Sequence, residues 1–179
     1  MKNAFLVGEI TYLRPITEAD LTPKYRDWFN DEEVCQYNSH HRFPNYDENM
    51  HDYYERVIKS KQNLVLAICD KENDEHIGNI ALENIDTLNQ SAELAILIGE
   101  KSRWGKGFGK CASKRLIKHA FEELNLHRIY LGTTDNNSGM EKLAESLGFT
   151  REGHLRETTF KGGAFRDTLC YGLLRGEQT

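Results

Sequence analysis

Eleven residues, Glu100-Lys-Ser-Arg-Trp-Gly-Lys-Gly-Phe-Gly-Lys110, follow the apolar run Leu94–Gly99 and open a long amphipathic segment. No other feature limits the fold of this chain as tightly. A strand must end, glycines at 105, 107 and 109 must carry a turn, and a helix must begin at once. Gly107 and Gly109 have no Cβ, so the turn can adopt positive φ and a ligand can press against bare main chain. The start of the helix adds partial positive charge. Arg103, Lys106 and Lys110 place three cations around the same turn. Together these features describe a cradle for a polyanion and point to a phosphate-bearing cofactor.

Two familiar phosphate loops do not match. A nucleoside triphosphate loop needs Gly-x-x-x-x-Gly-Lys-Ser/Thr, which this chain lacks. The dinucleotide fingerprint needs Gly-x-Gly-x-x-Gly after the first strand, whereas here the spacing is Gly-x-Gly-x-Gly after several strands.

The elements around the turn follow from hydrophobic periodicity and breaker residues. A strand is expected at 9–14, ended by Pro15, then helical turns across 18–29 with Thr17 as N-cap and Asp20 as its capping-box partner. A loop at 38–46 and a helix at 46–62 come next, then three strands in a meander at 63–69, 75–85 and 91–99. The strongest helix spans 107–126, burying Phe108, Cys111, Ala112, Leu116, Ile117, Ala120, Phe121 and Leu124. A strand at 127–133, a helix at 137–147 stopped by Gly148, and strands at 149–160 and 166–174 around Gly162-Gly163 complete the chain. This order predicts an α/β fold, a mixed central sheet of about seven strands flanked by helices on both faces.

With 179 residues, 39% hydrophobic and 28% charged, the chain reads as one soluble domain, 1–179. It has no apolar stretch near the ~20 residues a membrane span needs, and its N-terminal apolar run is too short for a signal peptide. Cys35, Cys69, Cys111 and Cys170 have no metal-binding spacing and read as reduced thiols of a cytoplasmic protein with no metal. The net charge of −5 hides an asymmetry. Residues 63–100 carry eight acids against one base, and residues 101–128 carry eight bases against two acids. The basic block starts at the glycine turn, in keeping with a bound anion, and the acidic stretch could attract a cationic partner. Cations confined to one turn and helix of an acidic protein argue against a nucleic-acid surface.

At Trp104-Gly105-Lys106-Gly107-Phe108-Gly109 the chain resembles the GCN5-related N-acetyltransferase (GNAT) superfamily, whose Gln/Arg-x-x-Gly-x-Gly/Ala turn binds the pyrophosphate of acetyl-CoA. Trp104 stands where the family has Gln or Arg, with Arg103 beside it as a substitute cation. Leu124–Leu131 is similar to the family's fifth strand, Asn137 lies eleven residues before Gly148-Phe149 as in the family, and 152–167 looks like the C-terminal hairpin of its spermidine, ribosomal-protein and nucleotide-sugar branch. The resemblance implies an acetyl-CoA-dependent N-acetyltransferase acting on a primary amine, by direct attack within a ternary complex. Residues 103–110 would hold the cofactor's phosphates, and Ile96, Leu97 and Ile98 would offer main-chain groups to its thioester.

The same resemblance assigns provisional roles. Glu93, fourteen residues before Gly107, is the candidate general base, since burial in an apolar strand would raise its pKa. Asn137 would touch the pantetheine or acetyl carbonyl. The family's usual proton donors, a Tyr or a Ser, are replaced by Ala144 and Met140, so Ser138, Tyr130 or a water on Asn137 would have to serve. Tyr37, His40, His41 and Phe43 fall in the loop that frames the acceptor. A homodimer through the C-terminal hairpin fits the pattern. The missing donors also keep open a non-catalytic coenzyme A-binding regulatory module.

Overall fold

The computed structural model describes residues 1–177. Eight strands form one sheet: β1 (Leu6–Val7), β2 (Thr11–Pro15), β3 (Leu64–Asp70), β4 (His76–Asp86), β5 (Ser91–Ile98), β6 (Arg128–Thr134), β7 (Thr150–Lys161) and β8 (Ala164–Leu174). Their spatial order is β1-β2-β3-β4-β5-β6-β8-β7. All neighbours are antiparallel except β5 and β6. The eighth strand, beyond the expected seven, is the two-residue β1, too short for any periodicity to announce it.

Alternation along β3 sets the two faces of the sheet. Leu66 and Ile68 point into the core shared with helix α3 (Phe108–Glu122) and helix α4 (Ser138–Ser146). Val65, Ala67 and Cys69 point the other way, against Tyr54 and Val57 of α2 (Asp47–Lys59). On that second face, Tyr25, Trp28 and Phe29 of α1 (Pro23–Asn30) form a further cluster with Leu97 and Trp104. Each fully buried aliphatic side chain in such layers contributes about 1.5–3 kcal/mol.

Three helix boundaries differ from the sequence reading: α2 ends at Lys59, three residues before the expected 62, and two others follow from local chemistry. The expected helical segment at 18–29 is split into a single turn at Glu18–Asp20 and α1. Pro23 is the reason: it disfavours helical backbone at the residue before it and suits the first helical position. Thr22 is accordingly extended and caps α1, accepting from the N–H of Tyr25 at 3.3 Å. The α3 helix stops at Glu122, four residues early, because the chain turns at Asn125 (φ 54°), where Leu126 N–H bonds back to the Ala120 carbonyl; Leu124 therefore falls outside the helix and is exposed, and Cys111 is only half-buried, so neither joins the expected stripe.

Candidate active site

The parallel pair is where the sheet opens. Strand β5 pairs with β6 only through Ser91–Arg128, Ala92–Ile129 and Glu93–Tyr130. Beyond Glu93, β5 runs on to Ile98 and β6 to Thr134 without pairing to each other, so the strands splay into a wedge. Ladder hydrogen bonds that a continuous sheet would use are left unclaimed along this stretch, and a ligand can enter between the strands.

The glycine turn stands at the open end of the wedge. Gly107 is the N-cap of α3 with φ 84°, and Gly105 has φ 69°; both lie in the left-handed region that side chains avoid. No atom comes within 4 Å of the place a Cβ would occupy at Gly105. The N–H groups of Gly105, Lys106 and Gly107 form no hydrogen bond among the described residues, and those of Phe108, Gly109 and Lys110 are the orphan donors of a helix start. A Cβ on Gly109 would lie 3.6 Å from Ile96, 3.9 Å from Ile98 and 4.0 Å from Leu143, so α3, β5 and α4 converge at this residue.

Two residues of the expected cradle already have partners within the fold. The Trp104 N–H is taken by the Lys101 carbonyl at 3.1 Å, and its indole donates to the Ile98 carbonyl at 2.8 Å. The free amides therefore start at Gly105. Arg103 is bound to Asp70 at 3.0 Å and Glu75 at 3.3 Å, and its guanidinium sits 5.5 Å from the Phe108 ring centre. These neighbouring acids claim its charge, which leaves the exposed Lys106 and Lys110 as the cations of the turn. Lys24 likewise binds Glu75 and Glu100, so much of the acidic stretch is neutralised within the fold.

At the start of α4, Asn137 is already engaged. Its Oδ1 accepts from Met140 N–H at 3.1 Å and its Nδ2 donates to Thr133 Oγ1 at 3.0 Å. Ser138 is exposed one residue on, and Ala144 is fully buried, too deep to touch a ligand.

A second opening lies on the α1/α2 face. A cleft of about 520 Å³ is bounded by Phe29, His40, Asp52, Tyr53, Arg56 and Glu83, among others. Glu93 is absent from its lining. The strand registers explain why the two acids still belong together: Glu83 on β4 stands opposite Glu93 on β5, which stands opposite Tyr130 on β6. This row crosses three strands where the wedge begins. Burial and then the Glu93 charge push the Glu83 carboxyl up. Burial pushes the Tyr53 and Tyr130 hydroxyls up as well, each helped by a neighbouring glutamate. Desolvation, with Lys161 adding to it, lowers His40, whose ring packs edge-on to Phe29 with centres 4.8 Å apart. Sequence reasoning placed His40 and Phe43 in this region but missed Glu83, Asp52 and Tyr53. The last two were read only as part of a helix, and Glu83 only as one charge in an acidic run.

A splayed parallel pair with free amides and a glycine-capped helix at its mouth agrees with the matched family model. That model, described as an acetyltransferase (GNAT) domain, aligns with residues 11–150. The chain belongs to the GNAT acetyltransferase family. Among GNAT relatives, an uncharacterized N-acetyltransferase of Bacillus licheniformis is 38% identical over 111 residues, 62% of each chain. The match thus spans less than two thirds of that relative's length. The spermidine N(1)-acetyltransferase of Vibrio cholerae is 33% identical over 135 residues, covering 74% of this chain and 70% of the relative. A crystal structure of Vibrio cholerae spermidine N-acetyltransferase in complex with CoA and spermine superposes with a TM-score of 0.86 at 27% identity, covering 93% of this chain and 96% of that one.

Proposed function

We propose that this protein transfers the acetyl group of acetyl-CoA to a primary amine held in the cleft between α2 and β4. The observation that carries the reading is the run of unclaimed main-chain amides from Gly105 into the first turn of α3, beside the wedge between β5 and β6. Those amides, with Lys106 and Lys110, suit the diphosphate of coenzyme A. The pantetheine arm would follow the wedge past Ile96, Leu97 and Ile98, and its acyl end would lie near Asn137 and Ser138.

The acceptor cleft carries Asp52 and Glu83 against Arg56, a lining suited to an ammonium group. The relatives named for spermidine support an aliphatic amine as acceptor. An amine with a pKa of about 10 arrives protonated, so a carboxylate must relieve it of a proton before it attacks. The Glu83–Glu93 pair supplies that group. A thiol of pKa about 8.5 needs no dedicated donor to depart, which accommodates Ala144 and Met140 where the family has Tyr or Ser. Four free cysteines fit a cytoplasmic setting, and the exposed Leu155, Phe160 and Phe165 on the terminal hairpin fit a homodimer.

Thermal unfolding and thiol release test the proposal together. Acetyl-CoA should raise the melting temperature, and Gly107→Glu should abolish the rise. Wild-type enzyme should release thiol with spermidine or another aliphatic amine. A melting shift without thiol release from any polyamine, amino-sugar nucleotide or peptide would instead favour a coenzyme A-binding regulatory module.

A further inference from the structure

We propose that Glu83, and not Glu93, takes the proton from the acceptor amine, while Glu93 acts through Glu83 as a positioning residue. The inference rests on the acetyltransferase reading above and goes beyond it in assigning the base.

Three observations separate the two acids. Glu83 lines the acceptor cleft and Glu93 does not. Glu93 already has a partner, its Oε2 accepting from Asn84 Nδ2 at 3.2 Å. Glu83 makes no side-chain hydrogen bond among the described residues, so both its oxygens can receive a donor from the cleft. Cross-strand register then sets Glu93 beside it as a like charge. Burial and that charge raise the Glu83 carboxyl, bringing it closer to neutrality than an ordinary carboxylate and making it a better proton acceptor.

Other ionisable groups share the surroundings of Glu83, whose own shift comes from burial and Glu93. From α2, Asp52 adds negative charge, Arg56 opposes it from 5.7 Å off the Tyr53 ring centre, and the Tyr53 hydroxyl stays protonated. His40 reaches in from the loop with its protonated form disfavoured, and Tyr130 of β6 stands beyond Glu93.

A proton passes from the ammonium to the Glu83 carboxylate, and the freed lone pair attacks the thioester carbonyl carbon. A C–N bond forms, the C–S bond breaks, and the electron pair leaves on sulfur. The second proton of the attacking nitrogen passes through solvent to the thiolate, and Glu83 returns its own proton to water.

The test is the pH dependence of thiol release with spermidine and acetyl-CoA as probes. Wild type should show an acid limb in kcat/KM. Glu83→Gln should lose that limb and lower kcat at saturating amine by about a hundredfold or more, with Glu83→Asp recovering part of it. Glu93→Gln should keep turnover and move the limb to lower pH, because a like charge has gone. Carboxyl NMR of the ¹³C-labelled protein should place Glu83 above the ordinary glutamate range and show it falling in Glu93→Gln. The assignment is overturned if Glu93→Gln loses the limb while Glu83→Gln merely shifts it, or if Glu83→Gln keeps the wild-type profile. A wild type that releases no thiol with any amine would overturn the proposed function, and this assignment with it.

Discussion

The ammonium of Lys161, at the end of β7, donates to the backbone carbonyl of His40 at 2.7 Å, across 121 residues of sequence. Beside it, Arg42 of the same loop donates to the Phe160 carbonyl at 2.8 Å. One bond runs from hairpin to loop and the other from loop to hairpin. The irregular segment that borders the cleft beside α2 is therefore pinned in the middle by the tip of a distant hairpin.

Cutting that pin should act on the acceptor and spare the cofactor. Lys161→Met combined with Arg42→Ala should raise KM for the amine several-fold, while the melting shift produced by acetyl-CoA stays as in wild type. Both contacts are exposed, so the loss in overall stability should be under about 1 kcal/mol. Initial-rate kinetics with amine and acetyl-CoA varied separately will check the split.

The cradle predicts a salt-sensitive cofactor affinity. Replacing Lys106 and Lys110 together by Ala should weaken acetyl-CoA binding about tenfold or more at low ionic strength, and by less as added salt screens the charges. Arg103→Ala should behave differently, lowering stability through Asp70 and Glu75 rather than cofactor affinity alone. Calorimetric titration across a salt series, alongside thermal melts, separates the two outcomes.

Trp104 offers a graded test of its role as a strut. Trp104→Ala should cost about 3 kcal/mol by removing an aromatic from the Tyr25–Trp28 cluster. Trp104→Phe keeps most of that packing and gives up the bond to the Ile98 carbonyl, for a loss of about 1 kcal/mol. Urea unfolding of the three proteins reads both steps.

Acid stability follows from the buried pair of Arg14 and Asp20, whose oxygens and nitrogens meet at 2.6 and 2.7 Å. Burial alone would raise the Asp20 carboxyl, but Arg14 and Thr17 hold it down at about 2. A depressed carboxyl stabilises the fold above its unfolded value near 4 and loses that contribution as pH falls through about 2, an effect of about 2 kcal/mol. His76, lowered chiefly by burial, works the same way at higher pH: its contribution is lost as pH falls below its ordinary value near 6.5. Asp20→Asn should remove the lower step and leave Arg14 buried without its partner, costing about 3–5 kcal/mol near neutral pH. Denaturation followed from pH 7 to pH 2 will show whether the lower step disappears.

What could be read from the chain alone is whatever local chemistry decides. The strand-length apolar run of β3, the apolar stripe of α3, the stop at Gly148 and the positive φ of Gly107 depend on neighbours a few residues away, so each was legible as written; Gly109, expected to share that positive φ, lies inside α3 without it, and Gly105 takes the left-handed conformation instead. Other features required the folded molecule. The ion pairs of Arg103 with Asp70 and Glu75 could not be read from the chain, and Glu83 read as one more acid of an acidic run, whereas strand register sets it beside Glu93 and α2 borders it. The reason is physical: a charge takes its role from the groups that desolvate it and pair with it. Those groups reach Arg103 and Glu83 from other elements of the fold, at distances that sequence spacing does not encode.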